Sequence, residues 1–250
     1  MSERDAIAGC TFYHSIDVPG FGLQHGSWDL RANVDAYLSS TDFRDRRVLD
    51  VGTSDGYLSV ELEKRGAEVI ALDLEDGVLF DKVPGPVEQS ALDAMLARRR
   101  RLSNAFALVQ RQCGASAKLV RGHAGNLPPE IGAVDYVFIG NVLQHLQDPM
   151  QALTSAARVA TEGIIVTEAT WNPTLDPDAP LMYLLTPQKI AQGSPWWCFH
   201  WWQVTPGLVT QWLSILGFAI VERYEHRQLF VETGALVPHF TIVARRKNTP

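Results

Sequence analysis

One short segment, residues 48–58, constrains the fold more than any other part of the chain. An apolar strand ends at Asp50, a loop carrying Gly52 and Gly56 follows, and the chain then enters an apolar-rich helix. Glycine has no Cβ, so such a loop can turn tightly and approach a ligand closely. In open α/β sheets it lies at the carboxyl ends of the strands, where nucleotides bind. The segment therefore predicts a nucleotide-binding α/β domain.

The charge of this loop narrows the choice of ligand. A dinucleotide fingerprint needs Gly-x-Gly-x-x-Gly around a pyrophosphate, whereas this loop reads Gly-Thr-Ser-Asp-Gly. Asp50 and Asp55 would repel a pyrophosphate and would suit a cationic ligand with an amino group. Taken alone, the segment also fits a purely structural strand-to-helix turn.

A second acidic strand end favours nucleoside binding. Residues 69–73 form an apolar run that ends in Asp73. This is about 20 residues after Asp50, the spacing of the acid that binds ribose hydroxyls in nucleotide-binding sheets. A carboxylate accepts hydrogen bonds from two adjacent hydroxyls better than a neutral side chain does.

Strand-like and helix-like segments alternate along the chain, which is typical of a mostly parallel sheet covered by helices. The predicted strands are 47–51, 69–73, 118–120, 134–139, 163–167, 218–224 and 238–245. The predicted helices are 58–65, 88–112, 149–160 and 206–216.

We predict an α/β fold, with a mostly parallel seven-stranded sheet and helices on both faces. Residues 1–45 are predicted to form a helical lead-in that caps the cofactor site, and residues 46–250 the main domain. Within that domain, the proline-rich and aromatic-rich stretch 171–202 is predicted to be a lid insertion.

From about residue 46 to the C-terminus the chain resembles the class I S-adenosylmethionine (SAM)-dependent methyltransferases. The resemblance implies a Rossmann-like fold, methyl transfer and SAM as the cofactor. In the glycine-bearing loop, the cofactor-binding residues that it implies are Asp50, Gly52, Thr53, Asp55 and Gly56.

The same resemblance implies cofactor contacts after the other strands. Asp73 would bind the ribose, with Leu74 beside the adenine. The segment 121–128 is similar to the adenine-binding loop, with His123 at a position where the family commonly has Asp, and with Ala124 next to it. Gly140 and Asn141 would border both the cofactor and the methyl acceptor.

A narrower resemblance involves the subgroup around the tRNA wobble-uridine carboxymethyltransferase. Residues 13–17 and 28–31, with 135–145 and 201–206, carry it. The tRNA enzyme holds a carboxylated SAM partly through a lysine ahead of this region. The present chain has no lysine before Lys64, so we expect ordinary SAM.

His145 is the predicted catalytic base, because it follows the strand beside the first one and histidine accepts protons near neutral pH. A structural role in the loop is the alternative. Glu168 would hold a substrate hydroxyl or, alternatively, cap the following loop. Other predicted acceptor-binding residues come from the lead-in and the lid: Tyr13, His14, Trp28, Arg31, Trp197, His200 and Trp201.

The run 196–202 contains five aromatic residues. It is interpreted either as a substrate wall or as a hydrophobic plug or contact in a homodimer. A divalent metal such as Mg²⁺ stays open, since a metal can acidify a hydroxyl. The sequence contains no close ligand motif, and His145 and Glu168, from separate loops, are the candidate ligands.

A net charge of −6 and a pI of about 5.6 favour a small-molecule acceptor over nucleic acid. The basic run Arg98–Arg101 is interpreted as a solvated helix face. The leading hypothesis is methylation of a sugar-like or aromatic hydroxyl in a biosynthetic pathway. Alternatives are a tRNA wobble-uridine methyltransferase and a non-catalytic SAM-fold binding protein, the latter opposed by intact Asp50, Gly52, Gly56 and Asp73.

The expected location is the cytoplasm, without contact to a membrane. The first residues are polar, no apolar run approaches the ~20 residues of a membrane helix, and three scattered cysteines fit a reducing compartment.

Overall fold

The computed structural model describes residues 3–194 and 196–247 of the chain. Its helices are α1 (Glu3–Ala8), α2 (Val34–Leu38), α3 (Tyr57–Lys64), α4 (Gln89–Cys113), α5 (Pro149–Val159), α6 (Thr186–Ala191) and α7 (Pro206–Ile215). Short 3₁₀ helices span Pro129–Ile131, Leu143–His145 and Trp197–Phe199. The strands are β1 (Ile16–Val18), β2 (Gly22–Gln24), β3 (Trp28–Asp29), β4 (Arg47–Val51), β5 (Glu68–Asp73), β6 (Lys118–Arg121), β7 (Val134–Gly140), β8 (Ala160–Ala169), β9 (Met182–Leu184), β10 (Trp202–Val204), β11 (Phe218–Phe230) and β12 (Ala235–Arg246).

Eight strands form the central sheet, in the order β3-β11-β12-β8-β7-β4-β5-β6. Neighbouring strands from β6 to β8 pair in parallel, and β12 runs antiparallel to both β8 and β11. The predicted mostly parallel α/β fold is confirmed. The eighth strand, β3, comes from the lead-in, and its Trp28 pairs with Phe230 at the sheet edge.

The central strands are continuous apolar runs because helices cover both faces of a parallel sheet. Val48, Leu49 and Val51 of β4 are almost fully buried. The helix α5 begins where the sequence provides a cap: the Asp148 side chain accepts a hydrogen bond from the Gln151 N–H at 2.9 Å, and Pro149 follows the cap. These elements bring the carboxyl ends of β4, β5 and β7 to one edge.

The lead-in is not the helical segment that we predicted. Between α1 and α2, β1 and β2 form an antiparallel hairpin, and β3 joins the central sheet. The apolar side chains of Ile16 and Val18 alternate with a polar one, and Gly20 and Gly22 adopt φ values of 83° and 70° in the turn. Alternation with a period of two and a glycine-bearing turn favour a hairpin.

The stretch 171–202 has little regular structure. β9 pairs with β10 in a separate two-stranded sheet, and α6 and the 3₁₀ helix Trp197–Phe199 lie between them. We call residues 171–202 the lid.

The prediction that the arginine run on α4 is a solvated helix face holds only for Arg100 and Arg101, which are exposed. Arg99 is only 9% exposed, and Arg98 faces a cavity. The Arg101 guanidinium donates to the Thr11 hydroxyl at 2.7 Å and to the Cys10 carbonyl at 2.6 Å. Over the described residues, no helix combines the length and the apolar character that crossing a membrane requires.

Candidate cofactor and acceptor site

A cavity of about 700 Å³ lies at the carboxyl ends of β4, β5 and β7, between the lead-in, α4 and the lid. Its volume is in the range of small-molecule sites. The structure brings many of the predicted site residues together around it: Tyr13, His14, Trp28, Gly52, Asp73, Leu74, His123, Ala124, Gly140, Asn141, His145 and His200.

Gly52 lets the loop after β4 pack closely against the Val142 side chain. Its φ is 76°, and a Cβ at this position would lie 2.6 Å from the Val142 Cγ2. Gly56, with a φ of 81°, is the N-cap of α3, and a Cβ there would lie 2.8 Å from the Phe106 ring. Both positions require glycine for conformation as well as for space.

Asp73 faces the cavity from the end of β5. Its two carboxylate oxygens accept the Ser54 N–H at 2.9 Å and the Leu74 N–H at 2.7 Å. Arg99 donates to the same carboxylate at 3.2 Å and to the Leu74 carbonyl at 3.2 Å. Because a carboxylate has about four acceptor positions and these three donors occupy three of them, one position is left for a ribose hydroxyl.

Asp50 and Thr53 do not line the cavity, contrary to prediction. Ser59 on α3 donates to the Asp50 carboxylate at 2.6 Å, and its Oγ lies 2.8 Å from the Thr53 Oγ1. Burial raises the pKa of Asp50, against the effect of the Ser59 hydrogen bond. Both residues brace the loop from behind, because buried polar groups need partners.

Asp55 also turns away from the cavity and holds the lead-in. Its carboxylate accepts the backbone N–H groups of Tyr13 at 2.8 Å and His14 at 2.7 Å, and the His14 Nδ1–H at 2.8 Å. Burial by itself would raise the pKa of Asp55, but these donors outweigh it and hold the pKa below its ordinary value. Asp55 thereby positions His14 and Tyr13 at the cavity.

His123 lies at the cavity edge after β6. Its Nδ1 accepts the Gly125 N–H at 3.0 Å, and its Nε2 lies 3.3 Å from the Asp81 carboxylate. The imidazole is therefore oriented by its own loop. Ala124, which is buried, lines the cavity next to it.

The loop after β7 is fixed by Asn141 and Glu168. Asn141 has a φ of 54°, and its side-chain oxygen accepts the Ala169 N–H at 2.9 Å. Glu168 accepts the Val142 and Leu143 N–H groups at 2.8 and 2.7 Å and does not line the cavity. Burial raises the pKa of Glu168 to about 8, against these hydrogen bonds.

Glu168 is thus a loop cap and not an acceptor-binding residue. The suggested metal pair of His145 and Glu168 also lacks support, because Glu168 is directed to backbone N–H groups. Among residues 3–194 and 196–247, no three His, Cys, Asp or Glu side chains are grouped so that they could hold a metal ion.

His145 lines the cavity between two parts of it: the part at the ends of β4 and β5, which we call the cofactor half, and the part formed by the lid. Its Nδ1–H donates to the Phe199 carbonyl at 2.7 Å, because a carbonyl oxygen only accepts, and its ring stacks on Phe80 at 5.1 Å. No described residue is hydrogen-bonded to its Nε2. Burial lowers the pKa of His145 to about 4, with a smaller effect from the charge of Lys189. The imidazole is therefore neutral at physiological pH and can accept a proton at Nε2.

His200 has the same arrangement on the lid. Its Nδ1–H donates to the Trp196 carbonyl at 2.9 Å, and its ring lies 4.9 Å from that of His145. Burial lowers the pKa of His200 to about 3. Two neutral imidazoles consequently face the same part of the cavity.

Besides Glu168, three predicted acceptor-binding residues lie outside the cavity lining. The Trp201 indole N–H donates to the Asp81 carbonyl at 2.8 Å, so Trp201 anchors the lid. Trp197 packs in a small apolar cluster beside Gly85. Arg31 is paired with Asp29 near the surface at 2.7 Å. Each of these side chains is held by a contact outside the cavity. The residue type alone does not predict such a contact.

Sequence reasoning missed several cavity-lining residues. Arg98 and Arg99 were interpreted only as part of the basic run. Successive residues of a helix point in different directions, so some side chains of a run on this 25-residue helix must face the protein interior. Trp171 begins the lid, and Phe80 and Lys189 carried no motif. All five line the cavity.

This strand order and the site at the β4 and β5 strand ends define the class I SAM-dependent methyltransferase fold. Residues 49–167 match the family model described as "Methyltransferase domain". The structure is similar to the N-terminal domain of EvdMO1 with SAH bound, at 18% identity over 99% of this chain and 98% of that one, with a TM-score of 0.56.

It is also similar to magnesium protoporphyrin IX methyltransferase from Synechocystis PCC 6803 with bound SAH. The identity is 17%, the match covers 82% of this chain and 76% of that one, and the TM-score is 0.54. At these identities the structural likeness establishes the fold alone.

In sequence, the biotin biosynthesis bifunctional protein BioHC of Cellvibrio japonicus (strain Ueda107) is 30% identical over 117 residues. The match covers 47% of this chain and only 18% of that protein's length. The narrower resemblance to the wobble-uridine subgroup stays a prediction.

Proposed function

We propose that the protein is a SAM-dependent methyltransferase that methylates a hydroxyl group of a small molecule. The proposal of SAM rests on the fold, the methyltransferase-domain match and the chemistry of the cavity. Asp73 is suited to a ribose hydroxyl, and Gly52 forms a turn at the cavity in which a Cβ would clash with the Val142 side chain. Leu74, Ala124 and Gly140 would complete the cofactor half.

When bound, SAM supplies a methyl group whose bond to the sulfonium sulfur breaks as the bond to the acceptor oxygen forms. The chain contributes orientation, exclusion of water and a proton acceptor. The observation that carries the hydroxyl assignment is the His145 geometry: Nδ1–H is held by the Phe199 carbonyl at 2.7 Å, so Nε2 is the basic atom. The hydroxyl proton passes to this Nε2.

The lowered pKa of His145 bears on the kind of hydroxyl. A weakly basic imidazole removes a proton more readily from an acidic hydroxyl, such as a phenol with a pKa of about 10, than from a sugar hydroxyl. Aromatic walls from Trp28, Trp171 and Phe230 lie around the same cavity. An aromatic hydroxyl is therefore favoured over a sugar-like one.

His14 is a second candidate base. Asp55 accepts its Nδ1–H, which leaves Nε2 as the atom that faces other partners, as in carboxylate–histidine pairs. We assign the role to His145 because it lies against Phe80 and against the lid residue His200, where an acceptor would enter.

The tRNA alternative is weakened by the orientation of the arginine run. Arg99 pairs with Asp73, Arg98 stacks on Trp196 at 5.5 Å, and Arg101 holds the lead-in. Of the four arginines, only Arg100 is both exposed and without a hydrogen-bond or ion-pair partner among the described residues. A run used in this way does not provide the basic stripe that phosphate binding needs.

The test is a SAM-turnover assay with purified protein, in which a panel of small phenols and bulk tRNA are offered side by side. Methyl ethers of phenols are expected, and methylated tRNA is not. Turnover confined to tRNA would contradict the small-molecule assignment. A lack of SAM binding would contradict the methyltransferase assignment itself.

A further inference from the structure

A buried lysine lies in the lid half of the cavity. Lys189 on α6 is 6% exposed and lines the cavity. No Asp or Glu among the described residues forms an ion pair with it, and burial alone accounts for the lowering of its pKa to about 8. Fully buried lysines are rare unless they are paired, because removing an ammonium from water is unfavourable.

Trp171 compensates for only part of the free energy that burying the Lys189 ammonium costs. The Lys189 Nζ lies 3.3 Å from the centroid of its ring, and the Trp171 indole N–H is fixed by the Gln144 side-chain oxygen at 2.7 Å. A ring face attracts a cation but offers no lone pair. The three N–H donors of the ammonium have no acceptor among the described residues.

The surroundings of the ammonium fit an aromatic ligand. Trp28 lies 6.0 Å from Trp171 and 4.9 Å from Phe230, ring centroid to ring centroid. His145 and His200 line the same cavity as Lys189, and the Lys189 charge contributes to the lowering of the pKa of both. A ligand anion on Lys189 would therefore hold an attached ring close to the imidazoles.

We propose that the methyl acceptor carries a carboxylate that binds the Lys189 ammonium, which makes the acceptor class aromatic hydroxy acids. The proposal rests on the methyltransferase function proposed above and adds the charge of the acceptor. A carboxylate matches the single charge of one ammonium. The bound carboxylate would provide the negative charge that no described residue places beside the Lys189 ammonium.

The experiment compares two probes that differ in charge but share one ring, 4-hydroxybenzoate and 4-hydroxybenzamide. Calorimetry measures the affinity of each for the full chain saturated with SAH. We expect the carboxylate to bind at least about tenfold more tightly, a difference of about 1.4 kcal/mol. Lys189→Met should abolish this preference, because it retains an apolar stem without the charge, and Lys189→Arg should retain it in part.

Lys118→Met is the matched control, since Lys118 is an exposed lysine at the start of β6; the preference should persist. Equal affinities of the two probes for the wild type, or no binding of either, would overturn the proposal, and so would a preference that survives Lys189→Met. The wild-type comparison holds even if that variant does not fold.

SAH affinity separates this proposal from the one on which it rests. Normal SAH binding without a carboxylate preference contradicts the role of Lys189 alone, whereas absent SAH binding contradicts the methyltransferase function. A methyl ester formed from 4-hydroxybenzoate would place the carboxylate at the transferring methyl group, and would therefore overturn both the hydroxyl assignment and the anchoring of the carboxylate at Lys189.

Discussion

Asp55 and His14 form a buried pair, with the His14 Nδ1 2.8 Å from the Asp55 carboxylate and both side chains almost inaccessible to water. The two residues are 41 positions apart in the chain. Through this pair the loop after β4 holds the lead-in against the cavity, so the N-terminal segment is part of the site.

Asp55→Ala should therefore affect both stability and cofactor binding. Removing one partner of a buried pair leaves the other without compensation, at a cost of ~3–5 kcal/mol. We expect a lower melting temperature and weaker SAH binding, because Tyr13 and His14 lose their anchor. The control is Asp42→Ala, which removes an exposed pair with Arg44 and should change neither quantity. Unaltered SAH affinity in a folded Asp55→Ala protein would contradict the anchoring role.

Asp73→Ala should weaken SAH binding by roughly ten- to a hundredfold. The carboxylate would accept a charge-assisted hydrogen bond from a ribose hydroxyl, worth ~1.5–3 kcal/mol. Calorimetry with SAH measures the loss. Asp76→Ala serves as the control, because Asp76 is a largely exposed carboxylate three positions further on. Equal affinity of wild type and Asp73→Ala would remove the ribose assignment.

His145→Ala should lower kcat by ~10²–10⁴ with a phenol acceptor. SAH affinity should change little, since the imidazole lies against Phe80 and the lid. His25→Ala, at an exposed position, is the control. A normal kcat together with a lower melting temperature would assign His145 a structural role, and loss of kcat in His14→Ala would then identify His14 as the base.

The pH profile provides an independent check on His145. Its pKa is lowered to about 4 by burial, so it is neutral and able to accept a proton throughout the neutral range. The rate should fall only as the pH approaches about 4, because a protonated imidazole cannot act as a base. An acid limb near the ordinary histidine value of 6.5 would point to a different, less buried base.

Glu168→Gln should flatten the dependence of stability on pH. In the folded chain the pKa of Glu168 is raised from the ordinary 4.5 to about 8. Between these values the folded state binds a proton that the unfolded state has lost, so this group's contribution to stability falls as the pH rises. Glutamine retains an oxygen for the Val142 and Leu143 N–H groups but does not titrate.

Urea unfolding of both proteins from pH 5 to pH 8 measures this effect. The stability of the variant relative to wild type should increase across the range. A constant difference would mean that burial does not perturb Glu168. Thr161→Ala, at the other end of β8, provides a comparison for a partly buried hydrogen bond to the Val134 carbonyl that involves no buried carboxyl group.

The order of elements was predictable from sequence because it depends on local patterns. The run 47–51 is buried on both faces, and the predicted strand at 134–139 corresponds to β7, so hydrophobic periodicity located the parallel core. The glycine positions and Asp73 followed from the same reasoning, since a strand end and a turn are features of neighbouring residues.

The direction of individual side chains was not predictable in this way. Asp50 and Asp55 lie in the same loop as Gly52, yet Asp50 bonds to Ser59 behind the loop and Asp55 bonds to the distant His14. A carboxylate points towards its strongest available donors, and those donors come from elements that only the folded chain brings together.

The sequence by itself thus determined the parallel sheet, the glycine-bearing loop and the acid at the end of β5. Tertiary structure alone decided that Arg99 turns inward to Asp73, that Glu168 caps a loop, and that Lys189 lies buried beside Trp171 without an acidic partner among the described residues. The physical reason is that periodicity and turn chemistry act between near neighbours, whereas burial and charge pairing depend on the elements that meet across the cavity.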